Sequence, residues 1–257
     1  MTMLDTVHHG VRQTPPRLLV YGTEGIGKST LASQAPSPIF VQTEDGLDRI
    51  DCASFPMATT FDAVMNALRA LYAEPHDYRT VVVDSLDWLE RLAWDAVCLA
   101  DGVDSIEKVG KGYAKGYTEA LTEWRRVLTG LDALRSKRGM AVIMIAHSKI
   151  EKFEDPESVA YDRYSPRLHK HACALLTEWA DAVFFATRKL YVKTEDAGFN
   201  RQRAIAQPVG DAGGDRVLRC VGGPSCVAKN RYGLAAELPL TQESLLSVLN
   251  GAAKGDK

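Results

Sequence analysis

A glycine-rich loop near the N-terminus limits the folds that this chain can adopt. The loop has the sequence Gly22-Thr23-Glu24-Gly25-Ile26-Gly27-Lys28-Ser29-Thr30. It fits the pattern Gly-x-x-x-x-Gly-Lys-[Ser/Thr], whose backbone N–H groups surround phosphate oxygens. Residues 17–21 predict a buried strand that runs into the loop, and residues 28–34 predict a helix that ends before Pro36. The sequence therefore predicts a phosphate site at a helix N-terminus, where the helix dipole favours anions.

The side chains of this loop and of one later strand indicate ATP with Mg²⁺ as the ligand. Lys28 would reach the β- and γ-phosphates, and the Ser29 hydroxyl would ligate the metal ion. A continuous apolar run, residues 80–83, leads to Asp84, which would hold Mg²⁺ through water opposite Ser29. We expect the remaining loop residues to contact the nucleotide, namely Gly22, Thr23, Glu24, Gly25, Ile26, Gly27 and Thr30.

Two further predicted strands end in polar residues that are candidates for catalysis. Residues 38–43 lead to Glu44, which could orient and deprotonate the attacking water; a solvated acidic turn is the alternative. Residues 140–146 lead to His147, which would lie near the γ-phosphate and report nucleotide state; a structural histidine is the alternative. Both positions are strand ends, where ligands bind in open α/β sheets.

The segment 102–118 interrupts the helical periodicity and alternates glycines with lysines and tyrosines. Such a mixture suits a loop that binds a single nucleic-acid strand, because lysines contact phosphates and flat rings stack on bases. A solvated connector is the alternative. The candidate contacts are Lys108, Lys111, Tyr113, Lys115 and Tyr117.

A second polar segment, residues 149–167, is too long for an ordinary connection between secondary-structure elements. It begins with acidic residues and continues with basic and aromatic ones. Long loops inside compact domains are usually functional or disordered. The candidate nucleic-acid contacts in it are Lys149, Lys152, Arg163, Tyr164 and Arg167.

The order of these motifs resembles the RecA-like P-loop ATPase core over roughly residues 17–235. The resemblance is carried by the glycine-rich loop, by the strands that lead to Glu44, Asp84 and His147, and by Lys229-Asn230-Arg231. It implies an α/β fold with a mostly parallel central sheet, helices on both faces and antiparallel strands toward the C-terminus. It also implies that Lys229 or Arg231 stabilises the transition state in the neighbouring subunit's ATP site.

Within that group the chain looks most like short bacteriophage ATP-binding and single-strand annealing proteins with a RecA-type core. Residues 111–117 and 228–234 carry this closer resemblance. It implies a homo-oligomer, ring or filament, that binds single-stranded DNA, promotes annealing and works beside a single-strand-binding protein. Residues 102–118 and 148–167 would be its two DNA-binding loops, and Asp48 falls where the family contacts adenine.

Two other functions fit the same motifs. One is a DNA-binding scaffold in which ATP switches assembly with negligible turnover. The other is a P-loop enzyme that acts on a small molecule, with the segment 102–118 as its lid. The rate of ATP hydrolysis with and without single-stranded DNA distinguishes the three.

Composition and charge bound the remaining possibilities. The formal net charge is −2 at pH 7, so any nucleic-acid contact would come from local patches. The five cysteines, an odd number, predict a reducing cytoplasm, that of a bacterial host if a phage encodes the protein. The absence of a run of about 18 apolar residues predicts no membrane span. We expect an N-terminal arm at 1–16, one RecA-like ATPase domain at 17–250 and a disordered tail at 251–257.

Overall fold

The computed structural model describes residues 3–7, 9–10, 14–154, 159–196, 202–208 and 214–251, and only the backbone of residues 190–196 and 202–208. Its main sheet has ten strands, and a separate two-stranded sheet pairs β8 with β9. The strands are β1 (Arg17–Gly22), β2 (Pro38–Gln42), β3 (Ala53–Ser54), β4 (Thr80–Asp84), β5 (Ala141–Phe153), β6 (Tyr161–Pro166), β7 (Ala182–Arg188), β8 (Leu190–Asp196), β9 (Gln202–Pro208), β10 (Arg216–Arg219), β11 (Lys229–Asn230) and β12 (Glu237–Pro239).

The centre of the main sheet is parallel. Its strand order is β12-β10-β7-β1-β5-β4-β2-β3, and β7 through β3 in this order run parallel to one another. The antiparallel strands β10, β11 and β12 join on the β7 side, and β6 pairs with β5. The predicted architecture, with antiparallel strands toward the C-terminus, is therefore confirmed.

Helices cover both faces of this sheet. They are α1 (Lys28–Ala32), α2 (Phe61–Ala73), α3 (Leu86–Asp101), α4 (Lys115–Arg138), α5 (Lys170–Trp179) and α6 (Gln242–Gly251), with 3₁₀ turns at Met3–Thr6 and Ile106–Lys111. Successive strand residues point to opposite faces. Leu19 and Tyr21 therefore pack in the core under α2, α3, α4 and α5, whereas Leu18 and Val20 pack in the core under α1 and α6. Burial on both faces explains why the central strands are continuous apolar runs.

The strand register brings the predicted site residues to one edge of the sheet. Gly22 at the end of β1 lies opposite His147 in β5, and Asp84 at the end of β4 lies opposite Ile145. Gln42 at the end of β2 lies opposite Asp84. Because these strands are parallel and in register, their carboxyl ends form a continuous edge.

The structure corrects the predicted boundaries of the first polar segment. The long helix α4 begins at Lys115 rather than at residue 119, so the connection from α3 spans residues 102–114. Gly116, predicted as part of a flexible loop, lies inside α4, where a Cβ atom would be 2.2 Å from the carbonyl oxygen of Ile106. The glycine therefore permits close packing of α4 against the 3₁₀ turn.

The second polar segment is not a loop but a β-hairpin. Strand β5 continues beyond His147 to Phe153, and its outer half pairs with β6 from Ser148↔Pro166 to Phe153↔Tyr161. We call this pair, residues 148–166, the β5–β6 hairpin. The polar stretch predicted as an unusually long connection is thus regular structure on either side of residues 155–158, which lie outside the described part.

The ends of the chain are described only in part. The predicted tail lies outside the described residues beyond Gly251, which is the last residue of α6, and so do six residues of the predicted N-terminal arm. Within the described segments, no helix is both long and apolar enough to cross a membrane.

Candidate nucleotide-binding site

The glycine-rich loop joins the end of β1 to the start of α1 and has the backbone expected of a phosphate cradle. Gly25 and Gly27 have φ angles of 70° and 104°, in the left-handed region that glycine adopts without strain. Gly22 is required for a different reason, because a Cβ atom there would lie 2.2 Å from the carbonyl oxygen of Ala186 in β7. The buried side chain of Ile26 anchors the loop in the core.

Lys28 lies at the mouth of this loop. Its Nζ donates to the carbonyl oxygens of Gly22 and Thr23, at 3.1 and 2.9 Å. Burial lowers the pKa of Lys28, and the surrounding carboxylates, Asp84 first among them, oppose that shift. The ammonium group is therefore held among backbone acceptors, at the place where phosphate oxygens bind in such loops.

The two predicted Mg²⁺ ligands face each other. The Ser29 hydroxyl donates to Oδ2 of Asp84 at 2.6 Å. Burial raises the pKa of Asp84, and the hydrogen bond from Ser29 and the charge of Lys28 oppose that rise. A hydroxyl and a carboxylate are hard oxygen donors of the kind that Mg²⁺ prefers. This pair fits the ion, with Ser29 and Asp84 as the residues that would hold it.

Glu44 and His147 lie side by side at the same edge of the sheet. Oε1 of Glu44 is 4.0 Å from Nε2 of His147. Thr43, the residue before Glu44, fixes the end of β2, because its hydroxyl donates to the Ser85 carbonyl and accepts from the Ser85 N–H. Burial raises the pKa of Glu44, and the neighbouring His147 opposes that rise. The structure thus brings both predicted strand-end residues to the candidate ATP site.

A residue that the sequence did not single out joins this group. Asp87, in the first turn of α3, accepts hydrogen bonds from the backbone N–H of His147 at 3.1 Å and from Arg167 at 2.7 Å. The His147 ring is 3.0 Å from the same carboxylate. Burial acts to raise the pKa of Asp87, but these hydrogen bonds hold it well below its usual range. Its position three residues after Asp84, at a helix start, was the available signal in the sequence.

The predicted adenine contact, Asp48, lies exposed in the turn that follows β2. Leu47 beside it packs against the core under α1 and α6, and the carbonyl of Leu47 accepts from the N–H of Ile50. The turn is therefore anchored at Leu47 and leaves Asp48 facing solvent.

Lys229 and Arg231 lie toward the opposite edge of the sheet from the glycine-rich loop. Lys229 pairs with Val183 near the start of β7, whereas Gly22 pairs with Ala186 near its end. The ammonium group of Lys229 donates to three backbone carbonyls at the end of α5, those of Thr177, Glu178 and Ala180. Arg231 contacts Asp181 at 3.5 Å. Within one chain neither residue approaches the loop, and a role in a neighbouring subunit's site stays a prediction.

Three of the five candidate contacts in the first polar segment are available to a ligand. The Tyr113 side chain is 95% exposed. Lys111 and Lys115 are exposed and form no ion pair with any described residue. In contrast, Lys108 pairs with Asp104 at 2.7 Å. The Tyr117 ring stacks on the ring of His169, the residue before α5. We call residues 110–115 the Lys-Tyr segment.

All five candidates in or beside the β5–β6 hairpin have partners within the chain. Arg163 donates to Glu151 at 3.0 Å and lies over the Phe153 ring. Lys149 donates to the Leu168 carbonyl, Lys152 pairs with Glu154, Tyr164 stacks on Phe185, and Arg167 binds Asp87. The hairpin contains three lysine or arginine residues and five acidic ones. The basic side chains of the hairpin are therefore held by partners within the chain, and the formal charge of the hairpin sequence is negative.

The fold and the site together define a P-loop ATPase: a parallel sheet with a phosphate cradle, a facing serine and aspartate, and a carboxylate at the neighbouring strand end. The chain belongs to the AAA domain family, whose model matches residues 14–232. A search of curated proteins finds no match. The matched range contains the glycine-rich loop and the residues assembled around it, so nucleotide binding by a P-loop ATPase core is the established part of the function.

Proposed function

We propose that this protein is an ATPase stimulated by single-stranded DNA, that it promotes strand annealing in homologous recombination, and that its nucleotide site lies between subunits. The observation that carries the DNA-binding part is the Lys-Tyr segment. It presents Lys111, Tyr113 and Lys115 to solvent without partners among the described residues. Unpaired lysines and an exposed ring are what a groove for single strands requires.

Ring contacts connect α4, which begins at the last residue of this segment, to the nucleotide site. The Tyr117 ring, at the start of α4, stacks on the His169 ring with centroids 4.3 Å apart, and its edge meets Trp94. His169 follows Arg167 by two residues, and Arg167 binds Asp87 beside His147. Single-stranded DNA bound at the Lys-Tyr segment would therefore contact a part of the chain that is packed against the ATP site. This supports coupling between DNA binding and ATP hydrolysis.

In the proposed reaction, each site residue has one task. Glu44 accepts a proton from the attacking water, and Lys28 holds the β- and γ-phosphates. Ser29 and Asp84 would hold Mg²⁺, which would neutralise negative charge on the phosphates. Arg231 or Lys229 of a neighbouring subunit stabilises the transition state. This arrangement makes the active form a homo-oligomer, which we propose acts in the cytoplasm beside a single-strand-binding protein.

The test compares ATP hydrolysis with and without single-stranded DNA and measures annealing of complementary labelled strands. We expect DNA to raise the hydrolysis rate and ATP to raise the annealing rate. Rates that DNA leaves unchanged, with DNA binding still dependent on ATP, would indicate an ATP-switched scaffold instead. Turnover without any DNA binding would indicate an enzyme that acts on a small molecule.

Variants of the Lys-Tyr segment test its role directly. Replacing Lys111 and Lys115 with Ala should weaken binding and reduce the salt slope by about 1.4, because two fewer phosphates are neutralised. Tyr113→Ala should weaken binding by about 1–3 kcal/mol with an unchanged salt slope, since stacking releases no counterions. Lys137→Ala, an exposed lysine at the far end of α4, is the matched control. Normal binding by all these variants would make the segment a connector.

A further inference from the structure

Arg167, predicted as a DNA contact, occupies a different place in the molecule. It follows the β5–β6 hairpin directly, and its backbone N–H donates to the carbonyl of His147 at 2.8 Å, which closes the hairpin at its foot. Its guanidinium group lies between Asp87 and Glu24 of the glycine-rich loop. The side chain therefore belongs to the nucleotide site.

The two contacts of this guanidinium group differ in strength. Nη2 donates at 2.7 Å to Asp87, whose side chain is only 4% exposed. Nη1 donates at 3.3 Å to Glu24, whose side chain is 73% exposed. A charged hydrogen bond to a buried carboxylate is costly to break, whereas an exposed ion pair contributes little. The inner contact is thus an anchor, and the outer contact can be exchanged.

The chemistry of the outer nitrogen suits a phosphate. Arginine has five N–H donors in a planar fork that matches phosphate oxygens. In Arg167 the Nε atom is buried and has no hydrogen-bond partner among the described residues, and Nη1 faces the loop. The same small region contains Lys28. Burial lowers the pKa of its ammonium group, and the negative charges of Asp87 and Glu24 act to raise it. A triphosphate in the loop would compete with Glu24 for Nη1 and carries more negative charge.

We propose that Arg167 binds the terminal phosphate of ATP within its own subunit. Its inner nitrogen stays on Asp87, and its outer nitrogen exchanges the Glu24 carboxylate for a γ-phosphate oxygen. Arg167 lies at the base of the β5–β6 hairpin. A change in its contacts when the γ-phosphate binds would therefore be transmitted to the position of the hairpin. The inference rests on the ATP-binding part of the proposed function and does not depend on DNA.

The test measures binding of ADP and of the non-hydrolysable analogue adenylyl imidodiphosphate by titration calorimetry, with Mg²⁺ and without DNA. Arg167→Ala should weaken binding of the triphosphate about 10- to 100-fold, the usual range for a charge-assisted hydrogen bond, and leave ADP affinity within about twofold. Arg167→Lys should lose less, because it keeps the charge but not the fork. Arg126→Ala, which removes an arginine of similar exposure in an ion pair on α4, should change neither affinity.

Glu24→Gln provides a second route that leaves the Asp87 anchor intact. Removing the competing carboxylate should strengthen triphosphate binding about two- to fivefold and should strengthen ADP binding by a smaller factor, because ADP lacks the γ-phosphate that competes for Nη1. Should Arg167→Ala fail to fold, Arg167→Lys and Glu24→Gln decide the question. Equal effects on the two nucleotides, or none, in folded variants would overturn the role of Arg167. A wild-type protein that binds neither nucleotide would instead overturn the proposed function itself.

Discussion

The carboxylates of the site have different surroundings, and that difference assigns their tasks. Burial raises the pKa of Glu44, even with His147 only 4.0 Å away. The pKa of Asp87 is held low by the hydrogen bonds from His147 and Arg167. A general base works best with a pKa near the operating pH, whereas a carboxylate with a low pKa stays ionised and orients its neighbours. Glu44 is therefore the residue that we expect to accept the proton of the attacking water.

Glu44→Gln tests this assignment. The amide keeps the size of the side chain but cannot accept the proton, so kcat should fall about 10²- to 10⁴-fold while ATP affinity changes little. Single-turnover hydrolysis and nucleotide titration measure the two quantities separately. Glu123→Gln, remote from the site in α4, serves as the control. A variant with near-normal kcat would leave Glu44 as an acidic turn residue.

Local sequence patterns predicted some helices and strands and missed others, for a physical reason. The central strands were predictable because burial on both faces makes each a continuous apolar run, as in Val81–Val83. The hairpin was not, because its cross-strand pairs, such as Glu151–Arg163 and Phe153–Tyr161, join residues on opposite sides of 155–158, beyond the short range over which strand or helix periodicity is recognised. The same limit applies to the site. Strand ends indicated Glu44 and His147, but the contact between Asp87 and Arg167 exists only after α3 and the hairpin have packed.

Glu90, one turn after Asp87 in α3, connects that helix to the foot of the hairpin. Both of its carboxylate oxygens accept from the backbone N–H of His169, at 3.1 and 2.9 Å. Burial raises the pKa of Glu90 from 4.5 to about 7, and the hydrogen bond from His169 opposes that rise. Since the folded-state pKa is the higher one, proton binding stabilises the fold below about pH 4.5, and this stabilisation is lost as the pH rises through about 7.

Glu90→Gln should remove this dependence. The amide oxygen can still accept from His169, but the side chain cannot ionise. Between pH 5 and pH 8, the free energy of unfolding of the variant should therefore increase by about 1–3 kcal/mol relative to wild type, as measured by urea denaturation. Glu243→Gln, at an exposed position of α6, should follow the wild-type pH profile. Parallel profiles for Glu90→Gln and wild type would show that Glu90 ionises normally.

The glycine-rich loop and the basic residue Arg231 lie toward opposite ends of the parallel strands. The glycine-rich loop lies at the carboxyl edge of the parallel strands, and Arg231 lies toward the other edge, with its side chain 54% exposed. A head-to-tail contact between copies joins unlike surfaces and continues into a ring or a filament. We propose that in such an assembly the exposed Arg231, rather than Lys229, reaches the next subunit's site, because Lys229 is already bound to carbonyls at the end of α5.

Mixing two inactive variants tests this arrangement. Arg231→Ala should bind ATP and hydrolyse it poorly, and Glu44→Gln should also be inactive. Their mixture can form interfaces with an intact Glu44 on one side and an intact Arg231 on the other, so part of the hydrolysis rate should return. Each variant at the same total concentration is the control. No recovery at any mixing ratio, from proteins shown to assemble together, would contradict a shared site.

Gly22 approaches β7 so closely that the two glycines of the loop motif are required for different reasons. A methyl group at this position would lie 2.2 Å from the Ala186 carbonyl oxygen, whereas a side chain at Gly27, the second glycine of the motif, is opposed by the left-handed backbone angle and closely approaches only the end of the Arg216 side chain. The first glycine of the motif is thus demanded by the neighbouring strand, and a later one by the path of the loop around its ligand. The sequence motif therefore has two parts. Its first glycine reflects how the strands of the sheet pack, and a protein could keep that glycine after losing all affinity for nucleotides.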